Sequence, residues 1–314
     1  VAGGIPIIKA LREGLSANRI QWIAGIINGT TNFILSEMRD KGLPFDVVLK
    51  EAQRLGYAEA DPSFDVEGVD AAHKLTIMAA IAFGIPMQFD KVHVEGISKL
   101  DAVDIKYAEQ LGYRIKLLGI TKRVSVNGAD GITEAIELRV HPTLIPSRRL
   151  IANVEGAMNA VLVQGDAVGA TLYYGKGAGA EPTASAVIAD LVDVTRMHTA
   201  DPEQRVPHLA FQPDAVMDTT ILPMAEVETR YYLRLAVSDQ PGVLADITRI
   251  LADRQISIEA MIQREPVADE QQTDIIMLTH RTREKHIDAA IALIEALAVV
   301  KARVIRLRLE ELDK

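Results

Sequence analysis

The chain has 314 residues, 43 acidic side chains against 34 Lys and Arg, a net charge of −9 and a hydrophobic fraction of 48%. That length and apolar content suffice for two ordinary cored domains, while the acidic balance excludes a protein built to grip nucleic acid, which carries a clustered positive face. There is no cysteine, hence no disulfide or thiolate metal site, which fits a cytoplasmic location, and no apolar run long enough to cross a membrane.

From Pro6 to Gly84 the dominant period is helical. The stretches "PIIKALREGL", "TTNFILSEMRDKG", "PFDVVLKEAQRLG" and "VEGVDAAHKLTIMAAIAFG" each place apolar residues three and four apart, and the last three close at a Gly. Between about residues 91 and 175 the pattern turns to strands, in "KVHVEGI", "YRIKLLGITKRVSV", "ITEAIELRV" and "NAVLVQGDAVGATLYYG", with "NGADG" as a hairpin turn joining the second to the third. Helices followed by such strands predict an α+β unit whose helices pack on a mainly antiparallel or mixed sheet. A glycine-rich turn, "YYGKGAGAEPTA", then leads into the helix "SAVIADLVDVTR".

Scattered prolines without sustained period mark a connector from about Asp201 to Glu228. The expected first domain is 1–211, the linker 212–228 and the second domain 229–314. The second domain reads strand, helix, strand, strand, helix, strand, the split βαββαβ order of the ferredoxin-like fold.

One segment concentrates chemistry. In "GYAEADPSFDVEGVDAAHK", Glu59, Asp61, Asp65, Glu67 and Asp70 precede Lys74. Asp70 and Lys74 stand four apart, so their side chains rise from one helix face. As an exposed pair they contribute only about 0.3–0.5 kcal/mol. The following "LTIMAAIAF" is apolar nearly all round, as a buried helix is, and an ammonium at the edge of such a segment beside carboxylates suits acid–base chemistry. The other acids read equally as a solvated loop favourably placed at a helix N-terminus. A calcium loop is set aside, because Val66 stands where the turn glycine of an EF-hand is required.

"GGIPIIKALREGL", "GIINGTTNFILSEM", the acidic segment, "HPTLIP" and "YYGKGAGAEPTASAVIADL" together resemble homoserine dehydrogenases over about the first two hundred residues. The resemblance implies reversible, NAD- or NADP-dependent interconversion of L-homoserine and L-aspartate 4-semialdehyde, in the biosynthesis of threonine and methionine. It implies Lys74 as the proton-transferring residue with Asp70 beside it, Glu59 as the carboxylate holding the substrate's amino group, and Asp65 as a polar support. Thr30, with Asn28 and Gly29, would lie against the substrate or nicotinamide. It also implies that Gly177 and Gly179 approach the cofactor, and that backbone carbonyls of Val1, Gly3 and Ile5 hold a monovalent cation such as Na⁺. On local grounds alone "GKGAG" is a tight turn between strand and helix.

The family's Gly-rich strand-to-helix fingerprint and a second lysine carried with it do not occur in this sequence. The expectation is therefore a fragment that turns over little by itself.

"RLAVSDQPGVLADITRILADRQISIEAM" resembles the ACT family of amino-acid-binding regulatory domains. That resemblance implies an effector, threonine, held at the "SDQPGVL" turn by Asp239 and the free amides at Gly242, Val243 and Leu244. A plain helix cap accounts for the same residues equally well. Free sheet edges predict a homo-oligomer. The alternative to a dehydrogenase is a non-enzymatic amino-acid-binding dimer in which the ACT domain does the work.

Overall fold

Glycine sets where the first helices start and stop. The structure, a computed structural model, describes residues 1–128, 131–198, 201, 205–263 and 272–313; Ala129 and Asp130 of the expected hairpin turn, and residues 264 and 265 of the expected strand, lie outside them. Helix α1 (Ile7–Lys9) widens into a π turn at Ala10–Gly14. Strand β1 (Ile20–Ile26) follows and runs directly into α2 (Gly29–Lys41), which Asn28 caps and Gly42 ends at φ 64°. Next come α3 (Phe45–Arg54), the short α4 (Ser63–Val66) and α5 (Val69–Phe83). The expected single helix from Val66 to Gly84 is thus interrupted: Gly68, at φ 83°, separates α4 from α5, and Gly84, at φ 66°, ends α5. Both take the left-handed conformation that a side chain disfavours.

Strand β2 (His93–Val94) is short, and α6 (Ala102–Gln110) precedes the long hairpin of β3 (Tyr113–Gly128) and β4 (Gly131–Pro146). A second hairpin, β5 (Met158–Gly165) with β6 (Gly169–Lys176), leads into α7 (Ala180–Met197). No residue of α7 is buried, and Val187, Ile188, Leu191 and Val194 stand exposed on it. The connector is pinned to the first unit. Its β7 (Thr220–Ile221) pairs with β4, and Met217 N donates to Gly84 O at 2.8 Å.

The remaining elements follow the expected order: β8 (Glu228–Ser238), α8 (Val243–Asp253), β9 (Ile258–Gln263), β10 (Gln272–Thr279), a two-residue β11 (Thr282–Arg283), α9 (Glu284–Glu295) and β12 (Ile305–Leu309). Their sheet order β12-β8-β10-β9, antiparallel throughout, is that of a ferredoxin-like fold.

The two units share one sheet among the described residues, in the order β6-β5-β1-β3-β4-β12-β8-β10-β9. The join is a short parallel pairing, Arg308 with Thr143 and Leu309 with Leu144. One hydrophobic core spans it, taking Ile23, Leu75 and Leu117 from the first unit and Tyr232, Ile276 and Leu307 from the second. A separate core, with Leu233, Leu235, Ile247 and Ile287, lies on the opposite face of the second sheet under α8 and α9.

Candidate active site

The end of β1 and the start of α5 meet at Asn28. Its side-chain oxygen accepts from Thr31 N at 2.9 Å, capping α2, while its amide donates to Asp65 at 2.6 Å and to Asp70 at 2.8 Å. One carboxamide therefore caps a helix and ties two acids together. Lys74, on the same face of α5 as Asp70, donates to Asp70 Oδ2 at 2.6 Å and to the carbonyl of Ile27 at 3.1 Å. The pair is half-buried, with side-chain exposures of 27% for Lys74 and 20% for Asp70, and the ammonium turns onto Asp70 and Ile27 O instead of into bulk water. Helix α5 comes this close to the sheet because Gly119 on β3 presents no side chain: a Cβ there would lie 3.1 Å from Ile27 Cδ1 and 3.4 Å from Leu75 Cδ1.

The rest of "NGTTN" anchors the surroundings. Thr30 Oγ1 donates to Tyr57 O at 2.8 Å, and Phe33 stacks on Tyr57 with centroids 4.4 Å apart, which holds the loop carrying Glu59 against the first turns of α2. Glu59 itself is exposed, and its carboxylate has no hydrogen-bond or ion-pair partner among the described residues. Asn32 donates to the carbonyls of Val154, Gly156 and Met158 at 3.1, 2.8 and 3.1 Å, and Lys116 donates to Asn32 Oδ1 at 3.1 Å. Burial pushes the Lys116 ammonium down to about 8 despite the opposing charge of Glu155. These bonds fold the chain so that Ala157 and Asn159 sit over the N-terminus of α2, where a Cβ on Gly29 would lie 2.8 Å from Ala157 O.

Asn159 was not singled out by the sequence reading. It is 1% exposed and its Oδ1 is buried without a partner. A side chain at Gly177 would overlap its carboxamide. The available signal was an amide at the head of the apolar strand "NAVLV", where burial demands a partner.

"VAGGI" and "GKGAG", far apart in sequence, touch. Gly4 N donates to Lys176 O at 2.9 Å, and a Cβ on Gly3 would lie 3.0 Å from Gly177 O. Gly179, at φ 121°, opens α7. Ile5 O accepts from Ile7 N at 2.7 Å, whereas the carbonyls of Val1 and Gly3 receive no backbone hydrogen bond among the described residues. No cluster of His, Asp or Glu able to hold a metal occurs among the described residues.

At the "SDQPGVL" turn, Gly242 starts α8 at φ 95° with no side-chain cap, and Asp239 is exposed. Val243 is buried in the second core and Leu244 packs at its edge, while Val243 N donates to Gln240 O at 3.4 Å.

A half-buried lysine bonded to a carboxylate thus stands at a strand-to-helix mouth, on a sheet continuous with a ferredoxin-like module. The sequence pattern described as homoserine dehydrogenase matches residues 6–192, and that of the ACT domain matches residues 231–299. The homoserine dehydrogenase of Pseudomonas aeruginosa is 63% identical over 100% of this chain and 70% of its own length, and that of Neisseria gonorrhoeae 62% identical over 99% and 70%. The crystal structure of a homoserine dehydrogenase from Thiobacillus denitrificans superposes with a TM-score of 0.92 at 72% identity, covering 100% of this chain and 69% of that one. The chain belongs to the homoserine dehydrogenase family, a family of NAD(P)-dependent oxidoreductases, and carries a C-terminal ACT domain. The non-enzymatic alternative is not favoured, since the match embraces the catalytic unit as well as the ACT domain.

Proposed function

We propose that Lys74 exchanges the proton of the substrate's hydroxyl or carbonyl oxygen as L-homoserine and L-aspartate 4-semialdehyde interconvert, with Asp70 holding the ammonium in place. The observation that carries this is the 2.6 Å bond from Lys74 to Asp70, fixed from behind by Asn28. Oxidising a carbinol requires its hydroxyl proton to leave to a group within hydrogen-bond reach. Asp65, through Asn28, keeps Asp70 from turning away. The free carboxylate of Glu59 is suited to an incoming ammonium, as the amino group of homoserine is. Gly29 and Thr30, at the open end of α2, form the adjoining wall.

When bound, NAD or NADP supplies the hydride exchange. The unpaired Asn159 Oδ1 beside Gly29 fits a group carrying an amide donor, as a nicotinamide does, and Gly177 and Gly179 keep that wall free of side chains. The open carbonyls of Val1 and Gly3 suit a monovalent cation such as Na⁺, with Ile5 O contributing its remaining lone pair. The α8 turn, with Asp239 and the amides of Gly242, Val243 and Leu244, is proposed to receive an amino-acid effector such as threonine. The free edges β6 and β9 and the uncovered α7 support a homo-oligomer.

The test is Lys74→Ala in the complete polypeptide. The expected outcome is a loss of kcat of about 10²–10⁴-fold with little change in KM, and a milder loss for Asp65→Asn. Parent-like turnover in a folded Lys74→Ala protein would remove that lysine from the chemistry.

A further inference from the structure

The turn from Val154 to Met158 is fastened to α2 along one helix face. Gly29, Asn32, Ser36 and Arg39 follow one another at three- and four-residue steps and so share a side of that helix. Besides the three bonds from Asn32, Ser36 Oγ donates to Glu155 Oε2 at 3.0 Å and accepts from Gly156 N at 3.2 Å, and Arg39 donates to Glu155 Oε1 at 2.7 Å. Arg114 of β3 donates to the same oxygen at 2.6 Å.

Lys116 holds the turn from beneath. It is 1% exposed, and its ammonium donates to Val154 O at 2.6 Å, to Asn32 Oδ1 at 3.1 Å and to Glu155 Oε2 at 3.4 Å. Three N–H groups meet three acceptors, a match that only the charged form makes, since a neutral amine has two. An ammonium is costly to bury, and Asn32 already bonds three carbonyls of the turn. What the charge adds is a pull on Glu155 and on the first carbonyl of the turn.

The placement of the turn matters because of what it carries. A Cβ on Gly29 would lie 2.8 Å from Ala157 O and 3.6 Å from Asn159 Oδ1. Gly29 follows Asn28, which ties Asp65 and Asp70 together. A small shift of the turn therefore changes the gap between the Asn159 carboxamide and the mouth beside Lys74.

The charges that face Lys116 are Glu155 on the turn, Arg39 on α2 and Arg114 on its own strand, with Asp40 and Glu109 of α6 against Arg39. Burial, helped by Arg39 and Arg114, puts its ammonium at about 8 against the pull of Glu155. Above that value the side chain loses one donor and its attraction for Glu155.

We propose that Lys116 is a positioning residue for the dehydrogenase reaction, its ammonium clamping the Val154–Met158 turn onto α2 so that Ala157 and Asn159 stand at the distance from Gly29 that receives the nicotinamide end of the cofactor. The inference rests on reading Asn159 and Gly29 as the nicotinamide wall, and adds the group that sets its width.

Lys116→Met in the complete polypeptide tests it, with NADPH and NADH as probes. Val154 O and Glu155 keep their bonds to Asn32, Ser36 and the two arginines, so the variant is expected to fold. Its cofactor dissociation constant, from fluorescence titration, should weaken by about tenfold or more, with a smaller fall in kcat at saturating cofactor. Without cofactor, deuterium exchange across residues 154–158 at one fixed pH should be faster than in the parent. The parent's dissociation constant should rise from about pH 7 to pH 9 as the ammonium discharges. That rise should vanish in Lys116→Met and begin at lower pH in Glu155→Gln, which removes the charge that favours the ammonium. Parent-like binding or parent-like exchange in Lys116→Met overturns the clamp, as does a pH dependence that neither variant alters. Should Lys116→Met fail to fold, the Glu155→Gln profile decides alone, and an unmoved rise overturns the proposal. Asn159→Ala separates the two readings. Weak binding there with parent-like binding in Lys116→Met overturns the clamp and leaves the nicotinamide wall standing; the reverse supports the clamp and removes Asn159 from that wall.

Discussion

Asn28 does more than any other single residue to shape the site. It is 5% exposed and supplies the cap of α2 together with bonds to two carboxylates. Asn28→Ala should lower the unfolding free energy by about 2–3 kcal/mol, combining a lost cap with lost charge-assisted bonds. It should also depress kcat, because Asp70 loses the partner that aims it at Lys74; chemical denaturation and steady-state kinetics measure the two effects separately. The Asp70–Lys74 pair was legible from the four-residue spacing alone, since a helix imposes that adjacency. Asn159 was not, because its neighbours Gly29 and Gly177 reach it only through the sheet. No periodicity within a segment reports a contact of that kind.

At the scale of elements, burial on both faces erased the pattern of the first strand. Strand β1 was absorbed into a helical region, yet Trp22, Ala24 and Ile26 face one core while Ile23 and Ile27 face the other, leaving an unbroken apolar run. Helix α6 also went unread. It covers the second face of the ACT sheet, where buried Asp104 accepts from Tyr232 Oη at 2.8 Å and from Arg234 at 2.6 and 2.9 Å. The ferredoxin-like order was legible because each of its elements keeps its own length and turn signals.

The loop after β2 is a tight seam between elements. Gly96→Ala would force a methyl into Val66 O and the Glu67 backbone, so it should destabilise by about 1–3 kcal/mol. It should also impair turnover by displacing the start of α5. A Gly96→Ala protein with parent-like melting and kcat would show that the seam yields without consequence.

Across the whole molecule, the units are stitched by charges buried at the sheet join. Arg308, 1% exposed, donates to Glu95 at 2.8 and 2.9 Å and to Glu284 at 3.0 Å, and Arg139, 2% exposed, donates to Glu137 at 2.9 Å and Glu310 at 2.7 Å. Between them His141 is fully buried. Burial first, then the charges of Arg308 and Arg139, hold its ring neutral well below the ordinary value of 6.5. Unfolded, the same imidazole takes up a proton as pH falls through 6.5, whereas the folded one does not, so its contribution to stability is complete above that value and is lost in acid. Glu95, held low by His93 and Arg308, and Glu284 and Glu310, held low by Arg308 and Arg139, all against the penalty of burial, add a loss of the same sign below their ordinary 4.5. His141→Gln should therefore flatten the decline in unfolding free energy between about pH 7 and pH 5 relative to the parent, measured by urea titration at each pH. An unchanged slope would remove His141 from the acid response.

The parallel rungs between β4 and β12 have a mechanical meaning. Allosteric coupling is worth about 1–3 kcal/mol, while stripping a partner from a buried ion pair costs about 3–5 kcal/mol, so an effector cannot lever the sensor away from the catalytic unit. The molecule is a welded plate instead of a jointed arm. Any ligand-linked change has to cross it as a small slide or a change of sheet twist, without any swing of one body against the other.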